Sequence, residues 1–196
     1  MNPRRAHNVF LVGFMASGKS RLGRALARRL GWKFLDTDAV VEAAERMSIS
    51  RIFSEEGEAR FRRLEVRAIS RAARGRRQVI SIGGGAVLDS KNVAAMRAAG
   101  VVIYRQAPFK DLFKRGERDR GRRPLWKGRT RDERRRSVKR LHLERRPLYR
   151  RAAHFALRTS GDDKIACRRL LLRLLAEGWI APRGIRETAA RGGSAI

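Results

Sequence analysis

Residues Gly13-Phe14-Met15-Ala16-Ser17-Gly18-Lys19-Ser20 match the pattern G-x-x-x-x-G-K-[ST] at every fixed position. The stretch Asn8–Val12 before them is a continuous apolar run, as expected of a buried parallel strand. After them Leu22, Ala25, Leu26, Ala27 and Leu30 recur at helical spacing, and Gly31 supplies a stop signal. Strand, glycine loop and helix in this order make an anion-binding nest. Gly13 and Gly18 let the backbone curl so that successive N–H groups point inward, and the positive end of the helix closes the cradle. Ala16 and Ser17 contribute backbone to the cradle. Lys19 is placed to reach the β- and γ-phosphates of a nucleoside triphosphate, and the Ser20 hydroxyl to ligate Mg²⁺. The nucleotide this implies is ATP, with Arg21 next in line to contact it.

The rest of the chain alternates strands and helices. Phe34-Leu35 runs into Asp36-Thr37-Asp38, and a helix follows through about Arg46. Residues 50–73 read as helical with an interruption near Gly57. Gln78–Ile82 is a third strand ending in Gly83-Gly84-Gly85, a helix around Val93–Ala98 leads to a fourth, Val101–Tyr104, and His154–Leu157 is a fifth. Ile165–Ala176 reads as a last amphipathic helix. Such alternation predicts a parallel sheet covered on both faces. The expected fold is therefore a three-layer α/β/α domain with a five-stranded parallel sheet and the architecture of a P-loop kinase. One domain over residues 1–177 suits the length. Residues 105–151 hold 20 basic and 6 acidic residues with glycines at 116, 121 and 128. They read as a polar, glycine-spaced stretch between helices, with a mobile lid at about 115–130. Residues 178–196 read as a disordered tail.

Composition limits the alternatives. No apolar run approaches the roughly 20 residues needed to cross a bilayer, and the N-terminus lacks the apolar core of a signal peptide. A cytoplasmic protein with no membrane partner is expected. The single cysteine, Cys167, cannot form an internal disulfide and reads as apolar filler. The net charge is +29, from 40 Arg and 8 Lys against 19 acidic residues. The basic residues occur on nearly every predicted helix, which favours solvated faces over a specific nucleic-acid site, although non-specific polyanion binding is open.

Asp36 and Asp38 lie two apart at a strand end, so an extended backbone would point both side chains into one site. A helix cap is the alternative role for one of them, and both roles are compatible.

Beyond the phosphate loop, further stretches occur in an order that resembles the shikimate kinase family over roughly residues 8–177. They are Phe34–Asp38, Gly57-Glu58-Ala59-Arg60-Phe61-Arg62-Arg63-Leu64-Glu65, Gly83–Gly85, Arg123-Pro124-Leu125 and Arg145-Arg146-Pro147-Leu148-Tyr149. The resemblance implies transfer of the γ-phosphate of ATP, with Mg²⁺, to the 3-hydroxyl of shikimate. It implies that Arg62 and Arg145 grip the substrate carboxylate, as planar guanidinium groups can do in bidentate fashion. It also implies that Asp38 binds substrate hydroxyls and orients the attacking one, that Asp36 acts through the metal shell, and that Gly84 touches the ring. Arg123 corresponds to the lid arginine that reaches the ATP phosphates, with Arg118, Arg120 and Arg122 as neighbours able to substitute. Two departures stand out: Ala16 replaces a glycine common in the loop, and Arg21 replaces a threonine or serine. The lid is about one residue longer than expected, and the late stretch Arg158–Asp162 matches poorly, which leaves the base contacts open, Arg115 among them. A monomer is expected. The rival readings are another P-loop small-molecule kinase, such as a gluconate-kinase-like enzyme, and a degenerate kinase fold that binds polyanions.

Overall fold

The computed structural model describes residues 6–118, 130–158 and 162–181. The five strands, β1 (Asn8–Val12), β2 (Lys33–Asp36), β3 (Gln78–Ser81), β4 (Gly100–Gln106) and β5 (Phe155–Arg158), form one sheet in the order β2-β3-β1-β4-β5. Every pairing is parallel, with Phe10 opposite Ile80 on one side and Val102 on the other. A parallel sheet buries both faces, and β1 shows how. Phe10 and Val12 join a cluster with Ile80, Val102 and Tyr104, covered by helices, whereas Val9 and Leu11 join a second cluster on the opposite face. Successive strand side chains point to opposite faces, so one apolar run feeds two cores.

Helices α1 (Lys19–Leu30) and α8 (Asp163–Ala176) cover the second face through Leu22, Leu26, Leu170 and Leu174, with Cys167 buried among them. Helices α4 (Gly57–Arg74), α5 (Ser90–Ala99), α6 (Phe109–Arg118) and α7 (Arg131–Ala152) cover the first through Ile69, Met96, Phe113, Val138 and Tyr149. Helices α2 (Thr37–Glu45) and α3 (Ile49–Glu55) make a small third cluster with α4 around Val41, Ile52 and Phe61. The strand order reverses about β1, and the crevice beyond the carboxyl ends of strands at such a point is where open α/β sheets hold their ligands.

Three expectations change. Much of residues 105–151 is helix: α6 takes in Arg115 to Arg118, and α7 runs 22 residues from a capping box made by Thr130 and Glu133. High charge masked this, because arginine is a good helix former and a solvated face needs no apolar stripe. Residues 178–181 do not begin a free tail, since Ile180 is buried, the Trp179 N–H donates to the Leu174 carbonyl, and the Ala6 N–H donates to Trp179. Residues 182–196 lie outside the described residues, as do 119–129. Finally, the extended backbone ends at Asp36 and α2 begins at Thr37, so Asp38 sits in the first turn of α2 and not on an extended strand.

Candidate functional site

The phosphate loop joins β1 to α1 at the carboxyl edge of the sheet. Gly13 has φ 147° and Gly18 φ 88°, and a Cβ on Gly13 would meet the Arg105 carbonyl oxygen at 2.7 Å, so both positions need glycine. Ala16 also takes a left-handed φ of 58°. That conformation costs a residue with a Cβ about 1 kcal/mol. The Lys19 ammonium is folded onto the loop, donating to the carbonyl oxygens of Gly13 at 2.8 Å and Phe14 at 3.0 Å. Above the loop lies a cavity of about 420 Å³, lined by Ala16, Ser17, Gly18, Lys19, Ser20, Arg21, Asp36, Asp38, Ser81, Gly84, Arg115 and Arg118 among others.

Asp36 does two things at once. One oxygen accepts the Asp38 N–H at 3.2 Å and caps α2, and the other accepts the Ser20 hydroxyl at 2.6 Å. The Ser20 Oγ also lies 3.2 Å from Ser81 Oγ. A hydroxyl and a carboxylate on one wall are hard oxygen donors, which suits Mg²⁺ completed by phosphate oxygens and water. Among the described residues no group of three or more His, Cys, Asp or Glu could hold a metal by itself.

The opposite wall is built at Gly83–Gly85. A Cβ on Gly83 would lie 2.6 Å from Asp38 Oδ1 and 2.7 Å from Glu65 Oε1, so the glycine lets two carboxylates approach the same backbone. A Cβ on Gly85 would collide with the Arg62 guanidinium. The Gly84 carbonyl accepts the buried Tyr149 hydroxyl at 2.5 Å and Arg145 Nη1 at 3.3 Å. Tyr149 in turn stacks on Tyr104, with centroids 5.2 Å apart. Arg62 donates to Glu58 and, through Nη1, to Glu65 at 2.8 Å. Burial pushes the Glu65 carboxyl pKa upward, and Arg62 and Arg145 oppose that shift. The structure thus gathers Asp38, Arg62, Gly84 and Arg145 around one backbone turn, facing the loop that carries Lys19 and Ser20. Arg123 lies outside the described residues, as do Arg120 and Arg122.

A protein-family model described as shikimate kinase matches residues 15–175. The chain belongs to the shikimate kinase family. A curated shikimate kinase from Symbiobacterium thermophilum is 45% identical over 164 residues, covering 81% of this chain and 92% of the relative. The solved structure of a shikimate kinase from Acinetobacter baumannii in complex with shikimate superposes with a TM-score of 0.81 at 31% identity, covering 89% and 96% of the two chains. A gluconokinase from Sinorhizobium meliloti reaches only 0.51 at 17% identity over 90% and 95% of the two chains, and shares the fold alone. The family likeness favours the shikimate kinase reading over the gluconate-kinase-like one.

Four further residues shape this region without having been expected from the sequence. Glu65 closes the stretch Gly57–Glu65 and sits one helical turn from Arg62, a spacing at which opposite charges pair. Thr37 accepts the Gly83 N–H at 3.0 Å and holds the glycine turn to α2. Tyr149 stood at the end of the Arg145 stretch without a role. Arg105 is a lone charge closing an apolar strand, and that interruption was the available signal.

Proposed function

We propose that this chain transfers the γ-phosphate of ATP to the 3-hydroxyl of shikimate, giving 3-phosphoshikimate and ADP. It is an ATP-dependent phosphotransferase with an alcohol acceptor. The observation that carries the reading is the placement of Asp38 and Gly84 on the same cavity as Lys19 and Ser20, with Arg62 and Arg145 packed directly behind Gly84 and Gly85. A donor and an acid-bearing acceptor can meet there.

In this reading the amides of the loop hold the phosphates of ATP, and Lys19 leaves its two carbonyls to neutralise charge on the β- and γ-phosphates. A bound Mg²⁺ would supply charge neutralisation at the phosphate oxygens. Ser20 would hold it directly and Asp36 through water. Arg62 and Arg145 fix the ring carboxylate, and Asp38 accepts a hydrogen bond from the attacking hydroxyl, orienting it and taking its proton. Arg123, by the family resemblance, would support the developing charge on the phosphates, and Arg21 lies by the nucleotide. Such positioning is most of what a phosphoryl-transfer enzyme must supply. We read residues 1–177 as one catalytic domain, a monomer acting in the cytoplasm. Among the described residues no helix is long and apolar enough to cross a membrane.

The test is an acceptor panel. Purified protein with ATP and Mg²⁺ is given shikimate, gluconate or no acceptor, and products are identified by mass and ³¹P resonance. Phosphoshikimate is expected. Turnover of gluconate without turnover of shikimate would contradict the assignment.

A further inference from the structure

Strand β4 sends Val101 and Ile103 to the α1–α8 side of the sheet, and strand alternation puts Arg105 there too. Its side chain has 0% exposure. Nη2 donates to Asp163 Oδ1 at 3.1 Å, while Nε and Nη1 meet no acceptor. The other oxygen of Asp163 takes Arg21 Nε at 2.8 Å. A third guanidinium closes the group. A Cβ built on Gly18 would lie 3.8 Å from Arg105 Nη2, 3.8 Å from Asp163 Oδ1 and 3.7 Å from Arg115 Nη1, itself buried without a hydrogen-bond partner. Two guanidiniums therefore share one carboxylate, with a third close by, beside the last glycine of the phosphate loop.

Packing gives no reason for this charge. The residue opposite Arg105 on β5 is Leu157, and a flexible apolar side chain would fill the space without leaving buried donors open. Burial chiefly favours the neutral form of Arg105, Asp163 opposes that effect, and Arg115 and Arg21 add to it. What a surplus of positive charge at this place suits is an anion in the cavity at Gly18, which Arg21 and Arg115 also line and where the loop amides and the α1 N-terminus already point.

We propose that the Arg105–Asp163–Arg21 cluster, with Arg115 beside it, is a positioning device for the nucleotide, bracing the phosphate loop at Gly18 and holding positive charge whose counter-ion is the bound triphosphate. This rests on the kinase reading above and adds to it a group of residues outside the loop. Arg105, buried and absent from the cavity lining, acts through Gly18 and Asp163 and through the field it sets up at the loop.

The full chain with Arg105→Met tests the inference by calorimetric titration with ATP and with adenosine, beside steady-state kinetics and melting. The Met variant is expected to melt no lower than the native protein, because a buried charge with open donors is exchanged for a side chain of similar reach. Its Kd and KM for ATP rise roughly ten-fold, the loss of one nearby charge at intermediate dielectric. KM for shikimate and the affinity for adenosine stay put, and Arg105→Lys recovers most of the ATP affinity. Unchanged ATP affinity, or an equal loss for ATP and adenosine, overturns the proposal. If Arg105→Met does not fold, Arg105→Gln decides, since it keeps a hydrogen-bond donor for Asp163 while removing the charge. Weaker ATP binding with native adenosine affinity in that variant supports the cluster, and native ATP binding overturns it. A native protein that binds no ATP at all would instead contradict the kinase reading itself.

Discussion

The Ser20 hydroxyl, in the first turn of α1, donates at 2.6 Å to the carboxylate of Asp36 at the carboxyl end of β2. Two residues that the mechanism assigns to one metal shell are thus already in contact with each other. Asp36→Asn keeps the shape and the cap on α2 but removes the charge. We expect the Mg²⁺ concentration for half-maximal rate to rise, with activity at limiting Mg²⁺ down about 10- to 100-fold. A Mg²⁺ titration of initial rate checks this. A native Mg²⁺ dependence would count against the assignment of Asp36.

Arg62 couples the substrate wall to stability. Its Nη1 holds Glu65, whose side chain is 3% exposed and whose Oε1 has no hydrogen-bond partner. Arg62→Ala should raise KM for shikimate about 30-fold or more, the cost of losing one side of a charged hydrogen-bonded grip. It should also destabilise the fold by about 1–3 kcal/mol, because Glu65 stays buried without its main cation. KM for ATP should not move. The double variant with Glu65→Gln separates the two effects: melting recovers, while KM for shikimate stays high.

A buried and a half-buried histidine set a pH dependence. His142 packs edge-on against Phe14 of the phosphate loop at 5.1 Å, and burial, followed by Arg146, lowers its pKa. His154 is lowered in the same way by burial and then Arg97. In the unfolded chain both return to about 6.5. Below that value the unfolded state binds protons that the folded state refuses, so stability falls with pH. Melting scans from pH 7.5 to 5.5 should show a lower midpoint on the acid side, by roughly 2–4 °C for each kcal/mol lost. His142→Gln should flatten part of that slope. A slope equal to that of the native protein would remove His142 as a cause.

Arrangement along the chain was readable wherever local chemistry is decisive. The apolar run of β1, the glycines at 13 and 18 and the helical spacing after Lys19 placed the loop, since backbone geometry there admits few residue types. The glycine run at 83–85 was visible as well, but its cause was not: Gly83 yields to Asp38 and Glu65, and Gly85 to Arg62, all distant in sequence. Contacts of that kind leave no local trace. The capping by Asp36 was open in the sequence, and the structure supplies both of its roles. Helix α7 was hidden because arginines on a solvated surface show little periodicity, whereas α6 does carry an apolar face in Phe109, Leu112 and Phe113 that its surrounding charge obscured; the packed turn at Trp179 and Ile180 was hidden because two apolar residues are too few to signal an element.

The central claim is that one cavity joins an ATP-binding loop to a shikimate-binding wall. Coupled measurement of ADP release, with and without shikimate and in the native and Lys19→Met proteins, tests it most directly. The account predicts ADP release that depends on shikimate and saturates with it, reduced about 10²- to 10³-fold in a folded Lys19→Met protein. ADP release indifferent to shikimate, or undiminished without Lys19, would contradict it.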